Sequence, residues 1–157
     1  MAPHAGLNAL MLLLWANPMT DESDAIVRGW RDFLGRFEWA YALTLTTGSP
    51  CSKEAMAKEF GRFIRRLERV GQQGLRWFYA VETTHAGHYH LHALLGDTAQ
   101  TSPARLRHFW KFGFTKILPV HEPQGAIAYA VKSLGSPEAF WDFSPRLRQR
   151  PRRRNGG

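Results

Sequence analysis

The chain of 157 residues contains a single cysteine, Cys51, which excludes an internal disulfide and favours a reducing cytoplasm, here that of a bacterial or archaeal host. It has no Gly-x4-Gly-Lys-Ser/Thr run, so the sequence does not encode ATP-driven strand unwinding. The apolar run at residues 7–16 is too short to cross a bilayer, and we expect an added helix or a peripheral segment there, with no membrane partner.

Acidic residues are scarce and unevenly placed. The chain has 13 Asp and Glu against 21 Lys and Arg, a net charge of +8, and residues 146–157 contain no acid at all. Six arginines fall in that segment, and removing them from +8 leaves only +2: Arg146, Arg148, Arg150, Arg152, Arg153 and Arg154. A run of like charges is typically disordered and attracts polyanions, so we predict a nucleic-acid-binding tail.

The most informative motif is His88-Tyr89-His90-Leu91-His92. Side chains alternate along a strand, so the three imidazoles are expected on one face and the tyrosine and leucine on the other. Neutral imidazole is the commonest metal ligand and transfers protons near neutral pH. The motif therefore predicts a metal or phosphate site.

An acidic residue is expected opposite this motif. Residues 75–84 are typical of a strand, and residues 85–87 suit a short hairpin loop in which Gly87 adopts a left-handed conformation. Pairing the strands about residue 86 places Glu82 opposite His90, at the spacing of a cross-strand pair. Glu82, His90 and His92 can then bind one cation, with His88 as a possible additional ligand. Such a mixed set suits Mn²⁺ or Mg²⁺ at least as well as Zn²⁺.

The remaining patterns alternate between helix and strand. They predict helix 21–37, strand 39–47, helix 52–70, hairpin 75–95, helix 102–111, strand 114–121 and helix 123–134. This order predicts an α+β fold, a ferredoxin-like or RRM-like sandwich with a mostly antiparallel sheet of four to five strands. We expect the helices on one face of the sheet and the histidines on the less covered face.

The last predicted helix carries Tyr129 and Lys132 three residues apart, so they are neighbours on one face. That face lies nearly opposite the apolar stripe formed by Ile127, Val131 and Leu134. A tyrosine beside a lysine is a weak signal alone, and it gains weight from the histidine hairpin that precedes it.

Three motifs in order resemble those of HUH endonucleases of the rolling-circle replication initiator (Rep) type. They are Thr44-Leu45-Thr46, then Glu82 with His90-Leu91-His92, then Tyr129-x-x-Lys132. The resemblance runs over roughly residues 39–134. It implies an endonuclease domain at residues 39–145, between an N-terminal helical extension at 1–38 and the basic tail at 146–157.

The resemblance implies metal-dependent, site-specific nicking and joining of single-stranded DNA at a plasmid or phage origin. Tyr129 would attack phosphorus to form a 5′-phosphotyrosine, and Lys132 would supply positive charge. Mn²⁺ or Mg²⁺ would be bound by Glu82, His90 and His92. DNA contacts are expected from Thr44, Thr46 and the six arginines of the tail. A host or partner helicase and a polymerase would be required.

Other functions also fit parts of the sequence. The three alternating histidines resemble the signature of histidine-triad nucleotide hydrolases and transferases, in which the middle histidine attacks phosphorus without a metal. An HUH transposase would use nearly the same chemistry as an initiator. A non-catalytic module would instead stack single-stranded bases on exposed Trp77, Phe78 and Tyr79.

Overall fold

A five-stranded antiparallel sheet organises the part of the chain that the computed structural model describes, residues 21–84, 87–98 and 101–148. Its spatial order is β4-β1-β3-β2-β5, with strands β1 (Tyr41–Leu45), β2 (Arg76–Thr83), β3 (Tyr89–Gly96), β4 (Thr115–Pro119) and β5 (Phe140–Phe143). The helices are α1 (Asp21–Leu34), α2 (Lys53–Arg69), α3 (Pro103–Phe109) and α4 (Pro123–Val131), followed by a 3₁₀ turn at Pro145–Arg148. The predicted α+β fold with a mostly antiparallel sheet is confirmed.

The fifth strand is absent from the element order that the sequence predicts. Strand β5 has only four residues and joins the sheet at its edge, where Phe78 pairs with Phe143 and Val81 with Phe140. Its existence therefore depends on pairing with β2 and not on a local pattern of its own.

Helices cover both faces of the sheet, so the expectation of helices on one face is wrong. On one face, α2 and α3 pack over alternate strand residues such as Tyr79 and Leu91. On the other face, α1 and α4 pack over Phe78 and Leu94, with Ile127 of α4 fully buried. Because β2 and β3 carry apolar residues at successive positions, both of their faces can be buried.

The histidines lie where the cover of α1 and α4 ends. Leu94 is fully buried, whereas Glu82 and His90, further along the same face, are partly exposed. Helix α4 begins beside this region, where Pro123 takes the first helical position and the Glu122 carboxylate caps the helix by accepting from the backbone N–H groups of Gln124 and Gly125. The site therefore occupies the uncovered part of this face.

The segment predicted as a basic tail begins within the packed domain. Leu147 is 2% exposed and belongs to the core beneath α1 and α4. The Arg146 guanidinium lies against Gly74, and that of Arg148 lies 5.8 Å from the centroid of the Phe143 ring. Residues 146–148 are thus folded, and residues 149–157 lie outside the described part, as does the apolar segment 7–16. No helix among the described residues is long and apolar enough to span a membrane.

Candidate active site

The predicted register of the histidine hairpin is confirmed. Glu82 of β2 pairs with His90 of β3, and the Thr84 N–H donates to the His88 carbonyl at 2.7 Å. Gly87 has a positive φ of 72°, the left-handed conformation that the short loop was predicted to need. Glu82, His90 and His92 therefore share one face of the sheet.

A hydrogen-bonded network joins four side chains on this face. His92 Nε2 lies 2.7 Å from Glu82 Oε2, and Lys132 Nζ lies 3.0 Å from the same oxygen. On the other side of the imidazole, Nδ1 lies 3.3 Å from Thr44 Oγ1, across the β1–β3 pairing. The His92 side chain is 2% exposed, and the Glu82 and Lys132 side chains are 28% and 39% exposed. The network therefore runs from a buried imidazole to a lysine that solvent can reach.

Tyr129 lies directly beside this network. Its ring meets the His92 ring edge to face, with centroids 4.8 Å apart and planes at 76°. Lys132 Nζ lies 4.3 Å from the Tyr129 centroid, within the range of a cation–π contact. Tyr129 is 52% exposed although Ile127 and Val131 of the same helix are fully buried, so α4 hides its apolar stripe and presents the phenol, as predicted. The helix ends at Val131, however, and Lys132 is its C-cap residue.

The other three tyrosines of the chain all pack against the α2 and α3 side of the sheet. The Tyr41 hydroxyl donates to the Thr101 carbonyl at 2.5 Å. Burial, with a smaller contribution from nearby Asp142, raises the pKa of Tyr79 to about 12. Tyr89 stacks below the Lys53 ammonium on that same side. Tyr129 is therefore the one phenol on the histidine face.

The remaining two histidines of the motif lie further out. The His90 ring centroid is 6.3 Å from that of His92, and the residue is half-buried. His88 precedes β3 and is exposed. The structure thus brings Glu82 and His92 into contact and leaves His90 beside them.

A cleft of about 480 Å³ opens next to Tyr129, between α4 and the β1 and β4 end of the sheet. Thr44, His92 and Tyr129 line one part of it, and side chains of β4 line another. The sequence motifs did not predict this cleft, because its walls come from segments separated by some 80 residues along the chain.

Residues 39–138, well over half of the chain, match the family model of the replication-associated protein ORF2. This chain belongs to that family. Membership is consistent with a replication initiator. No curated protein and no solved structure matches the chain.

In this member of the family, electrostatics place a carboxylate against a neutral imidazole. Burial opposes ionisation of Glu82, but hydrogen bonds from His92 and Lys132 and the charge of Lys132 outweigh it and lower the pKa of Glu82. Burial lowers the pKa of His92, and its contacts with Glu82 do not fully offset that effect. A neutral His92 can donate from Nε2 to Glu82 and accept the Thr44 hydroxyl at Nδ1.

The donor types at this site fit a hard divalent cation, since a carboxylate oxygen and an imidazole nitrogen lie 2.7 Å apart. Among the described residues, no three His, Cys, Asp or Glu side chains converge closely enough to hold an ion as they stand. Lys132 contacts the Glu82 oxygen, and His90 lies to one side. Binding an ion here would require Lys132 to share or leave that oxygen.

The residues predicted to contact DNA are divided by the structure. Thr44 bonds to His92 and lines the cleft, whereas the Thr46 hydroxyl donates to the Phe114 carbonyl at 3.2 Å. Arg146 lies beside Gly74, near the start of β2, and the six residues from Arg76 to Glu82 span about 20 Å. Arg150, Arg152, Arg153 and Arg154 lie outside the described residues. The structure thus places Thr44 at the site and Arg146 far from it.

The lowered pKa of His92 predicts how stability depends on pH. As the pH falls below the ordinary histidine value of 6.5, the unfolded chain takes up a proton that the folded chain does not, so the free energy of unfolding decreases. Urea unfolding in EDTA between about pH 7.5 and pH 5.5 measures this effect. The loss of stability from Glu82 comes at lower pH, below its ordinary value of 4.5, so the two windows are separate.

The variant His92→Gln should flatten this dependence between about pH 6.5 and pH 5.5, whatever its absolute stability. His108→Gln, at an exposed position on α3, is the matched control and should retain the dependence. An unchanged slope in His92→Gln would mean that another group causes the effect.

Proposed function

We propose that this chain is an HUH-type endonuclease and strand transferase, which nicks and rejoins single-stranded DNA at a replication origin to initiate rolling-circle replication. The observation that carries the proposal is the position of Tyr129 against His92 and Lys132, on the sheet face that also holds Glu82 and His90. Membership in a family of replication-associated proteins supports the same conclusion.

Tyr129 is the proposed nucleophile. Its hydroxyl oxygen would bond to phosphorus, the bond from phosphorus to the 3′ oxygen would break, and the proton lost by the phenol would be matched by one gained by the 3′ oxygen. The products are a 5′-phosphotyrosine and a 3′-hydroxyl that can prime synthesis. The reverse attack by a 3′-hydroxyl would rejoin the strand and release the tyrosine.

Lys132 is placed to stabilise this reaction electrostatically. Its ammonium lies 4.3 Å from the Tyr129 ring centroid and 3.0 Å from the Glu82 oxygen, and it is accessible to solvent. A cation beside the ring favours the negative charge that develops on the phenolic oxygen, and it can also bind a phosphate oxygen. Glu82 holds the lysine near the phenol.

A divalent cation, Mn²⁺ or Mg²⁺, is part of the proposal. Glu82 and His92 would hold it together with His90, which shares their face, and His88 is the alternative imidazole. When bound, the cation would neutralise charge on the oxygens of the scissile phosphate. Thr44 would keep the His92 ring in place through its hydrogen bond to Nδ1.

The test of the proposal is covalent capture. The full chain is mixed with pooled single-stranded oligonucleotides and Mn²⁺, and denaturant-resistant adducts are digested and mapped by mass. We expect a nucleotide mass on the peptide that contains Tyr129. Adducts confined to another residue, or none across a diverse pool, would overturn the proposal.

The arginine-rich tail is proposed to contribute sequence-independent affinity for DNA. Deleting residues 149–157, which removes four arginines and leaves the buried Leu147 in place, should weaken single-strand binding and reduce its salt dependence. The slope of log affinity against log salt should fall by ~0.7 for each phosphate that the shortened chain no longer neutralises. A full-length variant with these four arginines changed to lysine should retain most of the slope. An unchanged slope in the deletion would exclude the tail from DNA binding.

A further inference from the structure

We propose that the cleft between α4 and strands β1 and β4 binds one unpaired nucleobase of the strand, next to the phosphate that Tyr129 attacks. The inference rests on the proposed function and adds to it a site that selects which nucleotide flanks the nick. It begins from two large apolar side chains that are left half-exposed on the cleft walls, Leu118 at 51% and Tyr129 at 52%.

The walls of the cleft are mostly apolar. Ala42 and Leu118 pair directly across β1 and β4 and face the cleft from the sheet side, while Ala126 and Ala130 face it from α4. These short side chains on the helix leave the space, about 480 Å³, that bulkier residues would fill. Binding sites for small planar groups commonly have this size and apolar character.

The polar groups of the cleft are few and lie at its edge. Lys116 pairs with Thr44 across β1 and β4, on the same face, and forms no ion pair among the described residues. His121 is exposed at the far end of β4. Both oxygens of Glu122 already accept from the N-terminus of α4, so that carboxylate is engaged. Apolar walls with donors at the rim suit a base, whose faces are apolar and whose edges are polar.

The position of the cleft commits the proposal to a nucleotide next to the nick. Tyr129 and His92 line the cleft and also contact each other, with ring centroids 4.8 Å apart. A strand whose phosphate reaches the Tyr129 hydroxyl would therefore place a neighbouring base at the cleft mouth. A free phosphate alone would leave the apolar walls in water.

The test is photochemical cross-linking of a random single-stranded 20-mer that contains 5-iodouracil, with the full chain carrying Tyr129→Phe to prevent cleavage. We expect cross-links within residues 116–126, mapped by mass. Adding Ala126→Trp should fill the cleft, remove these cross-links and weaken binding by about tenfold, the effect expected when one base is no longer stacked. Ala126→Leu is a milder second variant, in case the tryptophan disturbs folding.

Ala25→Trp, at an exposed position on α1 that lines a different groove, is the matched control and should retain the cross-links. Cross-links elsewhere but none within the cleft would overturn this inference, as would cleft cross-links that survive both Ala126 variants. If covalent capture by unmodified Tyr129 still succeeds in that case, the proposed function stands. A complete absence of single-strand binding would overturn both.

Discussion

Replacing Tyr129 by phenylalanine should abolish covalent capture of single-stranded DNA, with a loss of about a thousandfold or more, as expected when a nucleophile is removed. Binding should change little, because the phenylalanine ring retains the contacts of Tyr129 with His92 and Lys132. The measurement is the yield of denaturant-resistant adduct, with affinity determined in parallel by fluorescence anisotropy.

Tyr89→Phe is the matched control, since Tyr89 lies in the histidine hairpin but packs on the opposite side of the sheet. It should form adduct at the rate of the unmodified chain. A Tyr129→Phe protein that still captured DNA covalently would move the nucleophile elsewhere. Tyr79 is a poor substitute because burial raises its pKa to about 12.

Removing divalent cations should produce the second large effect. EDTA is expected to stop adduct formation, and Mn²⁺ in excess should restore it, because the charge on a scissile phosphate must be neutralised for attack. Isothermal titration of Mn²⁺ into the protein without DNA provides a readout independent of activity.

The variant Glu82→Ala should lose most of the Mn²⁺ binding heat, since it removes the proposed carboxylate ligand. Glu138→Ala, at an exposed position near the same end of the sheet, should bind as before. Equal binding by the two variants would remove Glu82 from the ligand set. Hydrolysis of a nucleoside phosphoramidate in the presence of EDTA would instead support the histidine-triad alternative.

One alternative from the sequence is not compatible with the structure. A base-stacking module would need Trp77, Phe78 and Tyr79 exposed on the sheet, but Phe78 is fully buried under α1 and α4, and Tyr79 is 6% exposed under α2. Their alternation along β2 sends them to both faces, and both faces are covered there. The aromatic residues of this strand therefore form cores.

The hairpin could be predicted because its determinants are local. Strand periodicity, Gly87 and the length of the loop between the strands are sufficient to set the register, and the predicted pairing of Glu82 with His90 is confirmed. The same holds for α4, where the spacing of Ile127 and Val131 predicts which side is buried and leaves Tyr129 outward.

Contacts across long stretches of chain could not be predicted in this way. Lys132 meets Glu82 only because α4 buries its apolar stripe on the sheet beside α1, and fifty residues separate the two side chains. The sequence placed His90 and His92 equally in the site, whereas the structure bonds His92 to Glu82 and Thr44 and leaves His90 beside them. The position of each imidazole depends on its neighbours across the sheet.

By itself the sequence determined the α+β element order, the histidine hairpin and the outward tyrosine, because each follows from a period or a turn within a few residues. Only the tertiary structure decided that helices cover both faces, that β5 completes the sheet, that residues 146–148 are folded and that a cleft opens beside Tyr129. These features depend on which apolar surfaces bury one another, and that is settled by packing between distant segments.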